Sequence, residues 1–255
     1  MTVRELYAEL EKRIPRELSC KWDNDGLMCC PDPEREVRRV LIALDVTAEI
    51  AERAVAEEYD LIISHHPLVF RPLKAIEPSN YVAKKVIRLL CAGITVMSFH
   101  TRLDAVCGGV NDTLAAALGL ENVEPFGEGD ECIGRVGELK SEMTLENFAQ
   151  LVKQATGAPS VTVADAGLPV RRVALLGGSG SDDVPVAALT GADTYLSGEL
   201  GHHHLADCPE RGMNLVAAGH FYTENPVCQT LASMLSEINF TWTITVADSN
   251  RIRMI

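Results

Sequence analysis

The chain has 255 residues, 47% of them hydrophobic, enough for one large core or two modest ones. It carries 36 acids against 23 bases, a formal charge of −13, with no Lys/Arg run beyond pairs such as Arg38-Arg39. That balance excludes a protein that grips nucleic-acid backbones with basic patches, and no stretch approaches the roughly 18 apolar residues of a membrane span.

Leu6, Leu10 and Ile14 at helical spacing predict a helix from Thr2 to Arg13, ended by Pro15. Residues 22–27 read as a turn-rich loop. Residues 38–46 (RRVLIALDV) read as a central parallel strand, with Thr47 capping the next helix. A short apolar strand, residues 60–64, runs into His65-His66-Pro67. A helix over Tyr81–Cys91 comes next, then a strand over residues 94–99 that delivers His100, and a helix over residues 110–118. The acidic stretch 121–130, with Pro125, Gly127 and Gly129, reads as a domain boundary.

Beyond it, strands are expected at 132–139, 160–164, 171–176, 194–197, 214–217 and 240–247. Helices are expected at 145–155, 184–190, 203–210 and 223–236. Strands alternating with helices predict an α/β fold of mainly parallel sheet. The N-terminus is charged and amphipathic without a signal-peptide pattern, so a cytoplasmic location is expected. The eight cysteines contain no C-x-x-C pair and are expected to be mostly buried small hydrophobes.

All seven histidines come after predicted strands, where open α/β sheets bind ligands beyond the carboxyl ends. Adjacent side chains leaving a strand diverge, so His65 and His66 suit two metal ions better than one chelate; a pair with only structural hydrogen bonds is the plainer alternative. Asp104, four residues after His100, offers oxygens to a divalent ion, or else caps the next helix or pairs with Arg102. His220 and Glu224 share a helix face at i,i+4 if a helix starts near His220; the alternative makes Thr223 a cap. Of His202-His203-His204, only His203 is expected to approach the site, as an outer support. Gly177-Gly178-Ser179-Gly180-Ser181 offers backbone N–H groups to a phosphate, or is a tight turn.

Taken in order, Trp22-Asp23-Asn24-x-Gly26-Leu27, Leu44-Asp45-Val46-Thr47, Ser64-His65-His66-Pro67 and His100-Thr101-x-Leu103-Asp104 resemble the Nif-three-like family, often labelled GTP cyclohydrolase I type 2 homologs. Gly108-Gly109-x-Asn111-Asp112, Gly177-Gly178-Ser179-Gly180, Ser197-Gly198-Glu199 and Gly219-His220-x-x-Thr223-Glu224 complete the pattern. The resemblance implies two similar α/β domains, the second inserted in the first: 1–124 with 214–255, and 125–213. It also implies a homohexamer, a trimer of dimers, and a dinuclear centre of two divalent ions (Zn, Mn, Fe, Co or Ni) on His65, His66, Asp104, His220 and Glu224, with His100 close by. Arg102 stands where a small polar residue such as Asn is expected, which touches the pocket's specificity.

The leading functional expectation is a metal-dependent hydrolase acting on a small molecule such as a purine nucleotide, in the manner of a GTP cyclohydrolase, with His100 as general acid/base. Two alternatives use the same ligands: a non-catalytic metal-binding scaffold or adaptor, and a two-metal phosphoesterase or amidase.

Overall fold

The structure, a computed structural model, describes residues 1–129 and 131–253. Its elements in chain order are α1 (Val3–Arg13), β1 (Gly26–Cys29), β2 (Arg39–Ala43), α2 (Ala48–Ala56), β3 (Leu61–Ser64), α3 (Tyr81–Cys91), β4 (Thr95–Ser98), α4 (Thr101–Ala105) and α5 (Val110–Ala117). Then come β5 (Glu121–Glu128), β6 (Glu131–Met143), α6 (Leu145–Thr156), β7 (Thr162–Ala164), β8 (Val170–Ser179), α7 (Val184–Leu189) and β9 (Thr194–Glu199). The last are α8 (His202–Arg211), β10 (Asn214–Ala217), α9 (His220–Glu224), α10 (Val227–Ile238) and β11 (Thr243–Val246). The described residues form two compact units, residues 1–103 with 228–252, and residues 104–227 with Arg253. The fold is thus α/β with two sheets, and the second unit is inserted in the first.

In the first unit the strand order is β1-β4-β3-β2-β11, parallel throughout except for β1 at the edge. All four residues of β3 and of β4 are buried, the pattern of strands covered on both faces. Leu41, Ala43, Ile62 and Val96 pack with Ile50 and Ala54 of α2 and with Val86 and Leu89 of α3. Side chains hold the helix starts. Thr2 and Glu5 form a capping box, Thr47 accepts from the Ile50 N–H, and Asn80 accepts from Val82 and Ala83. Each such cap contributes about 1 kcal/mol.

In the second unit the order is β5-β6-β8-β9-β10-β7, a parallel centre of β8, β9 and β10 flanked by antiparallel strands. Alternation along β8 serves two cores. Val173 and Leu175 pack with Leu114 of α5 and Phe148 of α6, whereas Ala174 and Leu176 pack with Val184 and Ala187 of α7.

Several expectations are corrected. Within the acidic stretch 121–130, read as a domain boundary, Glu121–Glu128 form β5 and pair with β6, while Asp130 lies outside the described residues. The compact units part at 103/104 and 227/228, and β10, paired with β9 and β7, lies in the second. The expected loop at 22–27 already contains the start of β1, and the expected helix over 223–236 is two helices. Pro226 stands between them and has no N–H for an intrahelical bond. All eight cysteines are free thiols; Cys20, Cys208 and Cys228 are buried, but Cys91 and Cys107 lie exposed. Among the described residues no helix is long and apolar enough to cross a membrane.

Candidate metal centre

Parallel strands end where their last residue leaves the ladder, and β3 and β4 are hydrogen-bonded neighbours paired from Leu61↔Thr95 to Ser64↔Ser98. In-register neighbours deliver their next residues to the same place. His65 and His66 come directly after β3, and His100 comes two residues after β4. The three rings meet, with centroids 5.0 Å apart for His65–His66, 5.3 Å for His65–His100 and 5.7 Å for His66–His100. One ligand atom from each lies within 4.8 Å of the other two.

Each imidazole is steered by a bond to Nδ1. His65 Nδ1 donates to the Phe99 carbonyl at 2.9 Å. His66 Nδ1 lies 2.8 Å from Asp45 Oδ1, and His100 Nδ1 lies 2.8 Å from Asp23 Oδ1. Burial by itself would raise the Asp23 carboxyl, but hydrogen bonds from His100 and Thr101 outweigh it and hold it at about 2. Asp23 is therefore a carboxylate that accepts, and His100 Nδ1 donates. A ring donating through Nδ1 has its lone pair on Nε2, the arrangement by which metal-binding histidines are oriented. His65 is fully buried and the other two rings are half-buried.

The second unit assembles its own donors. His220 and Glu224, one turn apart on α9, place Nε2 and Oε2 3.1 Å from each other, while Glu199 Oε1 lies 3.5 Å from His220 Nδ1. Carboxylate oxygens of Asp104 and Glu224 lie within 4.8 Å of one another. Both acids are buried, at 7% and 4% exposure, which an ionised carboxylate tolerates only beside a compensating charge or strong donors. The backbone makes room for them. Gly178 has φ +69°, and a Cβ there would overlap Glu224 Oε1 and lie 3.1 Å from His220 Nε2. A Cβ at Gly198 would lie 2.7 Å from both His220 Cα and Thr223 Oγ1. Asn111 ties this region together, donating to Ile133 O and Asp104 O and accepting from the Gly177 N–H.

The donors suit a metal by their chemistry: imidazoles with one nitrogen anchored in the first unit, and buried carboxylates with an imidazole in the second. This nitrogen and oxygen set matches borderline divalent ions such as Zn, Mn, Fe, Co or Ni.

Other expectations fare differently. Thr223 is not a cap: Gly219 holds that position, and the Thr223 hydroxyl accepts from the Gly178 N–H. The glycine-rich segment offers no phosphate cradle, because Gly177, Gly178 and Gly180 N–H groups go to Asn111, Thr223 and Ser197. Arg102 faces inward and is fully buried, bonded to Asp25, Glu11 and the Ile14 carbonyl, so it neither pairs with Asp104 nor tunes a pocket. Asp104 does not cap α5, whose N-cap is Gly109. His203 stacks on His204 at 4.0 Å and joins no ligand group among the described residues. The anchoring acids Asp23, Asp45 and Glu199 had no role assigned from sequence; their position just beyond or between strand ends is the signal that could have found them.

A family model described as Duf34/NIF3 (NGG1p interacting factor 3) matches residues 1–253. The chain is 33% identical over 243 residues to a "GTP cyclohydrolase 1 type 2 homolog" of Clostridium perfringens, covering 93% of this chain and 92% of that protein. It is 35% identical over 237 residues to a "Protein NIF3 homolog" of Schizosaccharomyces pombe, covering 85% and 84%. Among solved structures, a Bacillus cereus protein related to NIF3 superposes with a TM-score of 0.88 at 25% identity, covering 100% of this chain and 99% of that one.

Proposed function

We infer, since the chain belongs to the Duf34/NIF3 family, that it is a metal-dependent hydrolase acting on a purine nucleotide. Two divalent ions would be held by His65, His66, Asp104, His220 and Glu224. When bound, such ions supply Lewis acidity and water acid enough to attack a C=N or amide-like carbon near neutral pH. The observation that carries the reading is the triad of imidazoles at the ends of β3 and β4, each fixed through Nδ1. Rings so fixed meet an ion without reorganising, which is what a catalytic metal site requires. The relatives named for GTP cyclohydrolase support the nucleotide.

His100 has two roles to separate. The expected one is general acid/base. Its place within the 4.8 Å group supports the role of a third imidazole ligand. A His100→Asn protein that loses metal identifies a ligand; one that keeps metal and loses turnover identifies the proton carrier.

Metal analysis combined with product detection for GTP, other nucleotides, phosphoesters and amides tests the whole reading, wild type against Glu224→Ala. Turnover of a nucleotide that disappears with Glu224 is the expected outcome. Full metal occupancy without turnover of anything offered sinks it. That result would favour a metal-binding adaptor, a reading supported by the interaction in the family's own description.

A further inference from the structure

The double histidine leads into a long irregular segment: residues 67–80 carry neither helix nor strand before α3 begins. Segments of that length inside a compact unit are uncommon, and functional loops are one main class of them. This one leaves the carboxyl end of β3, where ligands of parallel sheets sit. It also encloses space. Phe70 and Arg71, with Tyr81 and Lys85 of α3, line a cavity of about 470 Å³, within the range of small-molecule pockets.

Two properties of this cavity are at odds with its surroundings. The first is aromatic surface left in water. Phe70 is 44% exposed and Trp22 60% exposed, and their rings meet edge to face at 6.2 Å. Both also stand edge-on to the His100 ring, at 6.0 Å and 6.2 Å. Phe70 therefore belongs both to the cavity wall and to the surroundings of the imidazole triad. The Asn24 side chain donates to the Val69 carbonyl, tying the Trp22 segment to the loop.

The second property is charge. The chain is acidic, at −13, yet no acidic side chain lines this cavity. Arg71 is exposed and makes no ion pair or hydrogen bond among the described residues. Lys85 donates to the Val46 carbonyl, and burial pushes its ammonium below the usual lysine value despite the pull of Asp45. An anion arriving there would meet one unneutralised guanidinium and one partly desolvated ammonium. Arginine's planar fork matches a phosphate.

We propose that this cavity recognises a nucleoside phosphate, whose planar base packs against its Phe70 wall and the Trp22 ring beside it, next to His100, while its phosphates reach Arg71 and Lys85. The aromatic pair offers stacking that any base can use, and the cations select the phosphorylated form. The assignment deepens the hydrolase reading by giving it a substrate site, and rests on that reading for turnover but not for binding.

The test uses the full chain stripped of metal by chelator, so that binding is measured apart from turnover. Trp22 reports directly once Trp242, only 9% exposed, is changed to Phe. GTP, guanosine and inorganic triphosphate are titrated against its emission, and equilibrium dialysis measures GTP retention without relying on a tryptophan. The expected result is saturable quenching by GTP, with guanosine and triphosphate each binding at least tenfold more weakly. Phe70→Ala and Arg71→Gln should each weaken GTP binding about tenfold, and Arg71→Gln should remove most of the preference for GTP over guanosine. Both side chains are exposed, so melting temperatures should stay at the wild-type value.

Absence of GTP retention overturns the proposal. So does binding untouched by both substitutions, or Trp22 emission that tracks protein concentration instead of nucleotide, which would assign the aromatic face to a second copy. The two readings fail separately. Nucleotide bound by the stripped protein, with no turnover after metal is restored, leaves this site standing and sinks the hydrolase. Turnover with KM unchanged in both variants does the reverse.

Discussion

His66 and His100 are both aimed by acids, but the two acids sit in different surroundings, and that difference is testable. The Asp45 side chain is 42% exposed, and its contact with His66 is a single 2.8 Å pair. The Asp23 side chain is fully buried and also accepts from the Thr101 backbone and hydroxyl. Replacing either by Asn keeps the shape and removes the charge that orients the ring, so divalent-metal affinity should fall about 10- to 100-fold in a chelator competition titration. Asp23→Asn should lower thermal stability more than Asp45→Asn, because the Thr101 amide and hydroxyl lose a fully buried carboxylate, whereas Asp45, which the Ser249 hydroxyl also reaches at 3.5 Å, is partly exposed. Equal metal affinity in wild type and both variants would mean the acids do not aim the rings. At this scale the histidines were legible from sequence, since each comes after an apolar strand. Their anchors were not: Asp45 and Asp23 lie 21 and 77 positions from the rings they hold, and pairing over that distance is decided by sheet register.

Arg102 shows the same limit between elements. Its guanidinium, with no exposed surface, joins Glu11 of α1 to Asp25 just before β1 and stacks over the Phe99 ring, 4.7 Å from its centroid. Asp25 in turn accepts from the His100 N–H, so the arginine braces the start of α4 against α1. Arg102→Met should cost about 3–5 kcal/mol in urea unfolding, since it leaves Asp25 buried without its cation. Arg102→Lys should recover only part of that, lacking the fork that serves two acids and a carbonyl. A loss below about 1 kcal/mol for the Met variant would show that the network is not structural. From sequence this residue reads as a pocket residue because it stands where the family resemblance implies a small polar residue such as Asn. The short helix α4, unpredicted, turns Arg102 into the core instead. The longer helix α3 was legible because period and cap agreed, and it begins and ends where its pattern does.

For the whole molecule, the buried carboxylates of Asp104 and Glu224 make metal and stability one question. An ion that binds the folded chain and not the unfolded one stabilises it by about 2.7 kcal/mol at a hundredfold excess over Kd. Saturating Zn, Mn, Fe, Co or Ni should therefore raise the melting temperature of chelator-treated protein by several degrees, and Glu224→Ala should abolish the rise. A melting curve indifferent to every one of these ions would remove the metal from the account. Fold class was legible across the whole chain because strands and helices alternate. The strand character of β5 was not, because its acidic residues with Pro125 and Gly127 read as a boundary.

That same strand closes one side of the second sheet, and six of its eight residues are exposed. Its outer rim has Pro125, which brings no amide hydrogen, among Glu121, Glu124 and Glu128, and its register against β6 is broken in two places. A neighbouring molecule trying to extend the ladder there would meet like charge, a missing donor and a kinked template. Residues that read as a boundary in the sequence thus work against edge-to-edge extension of this sheet.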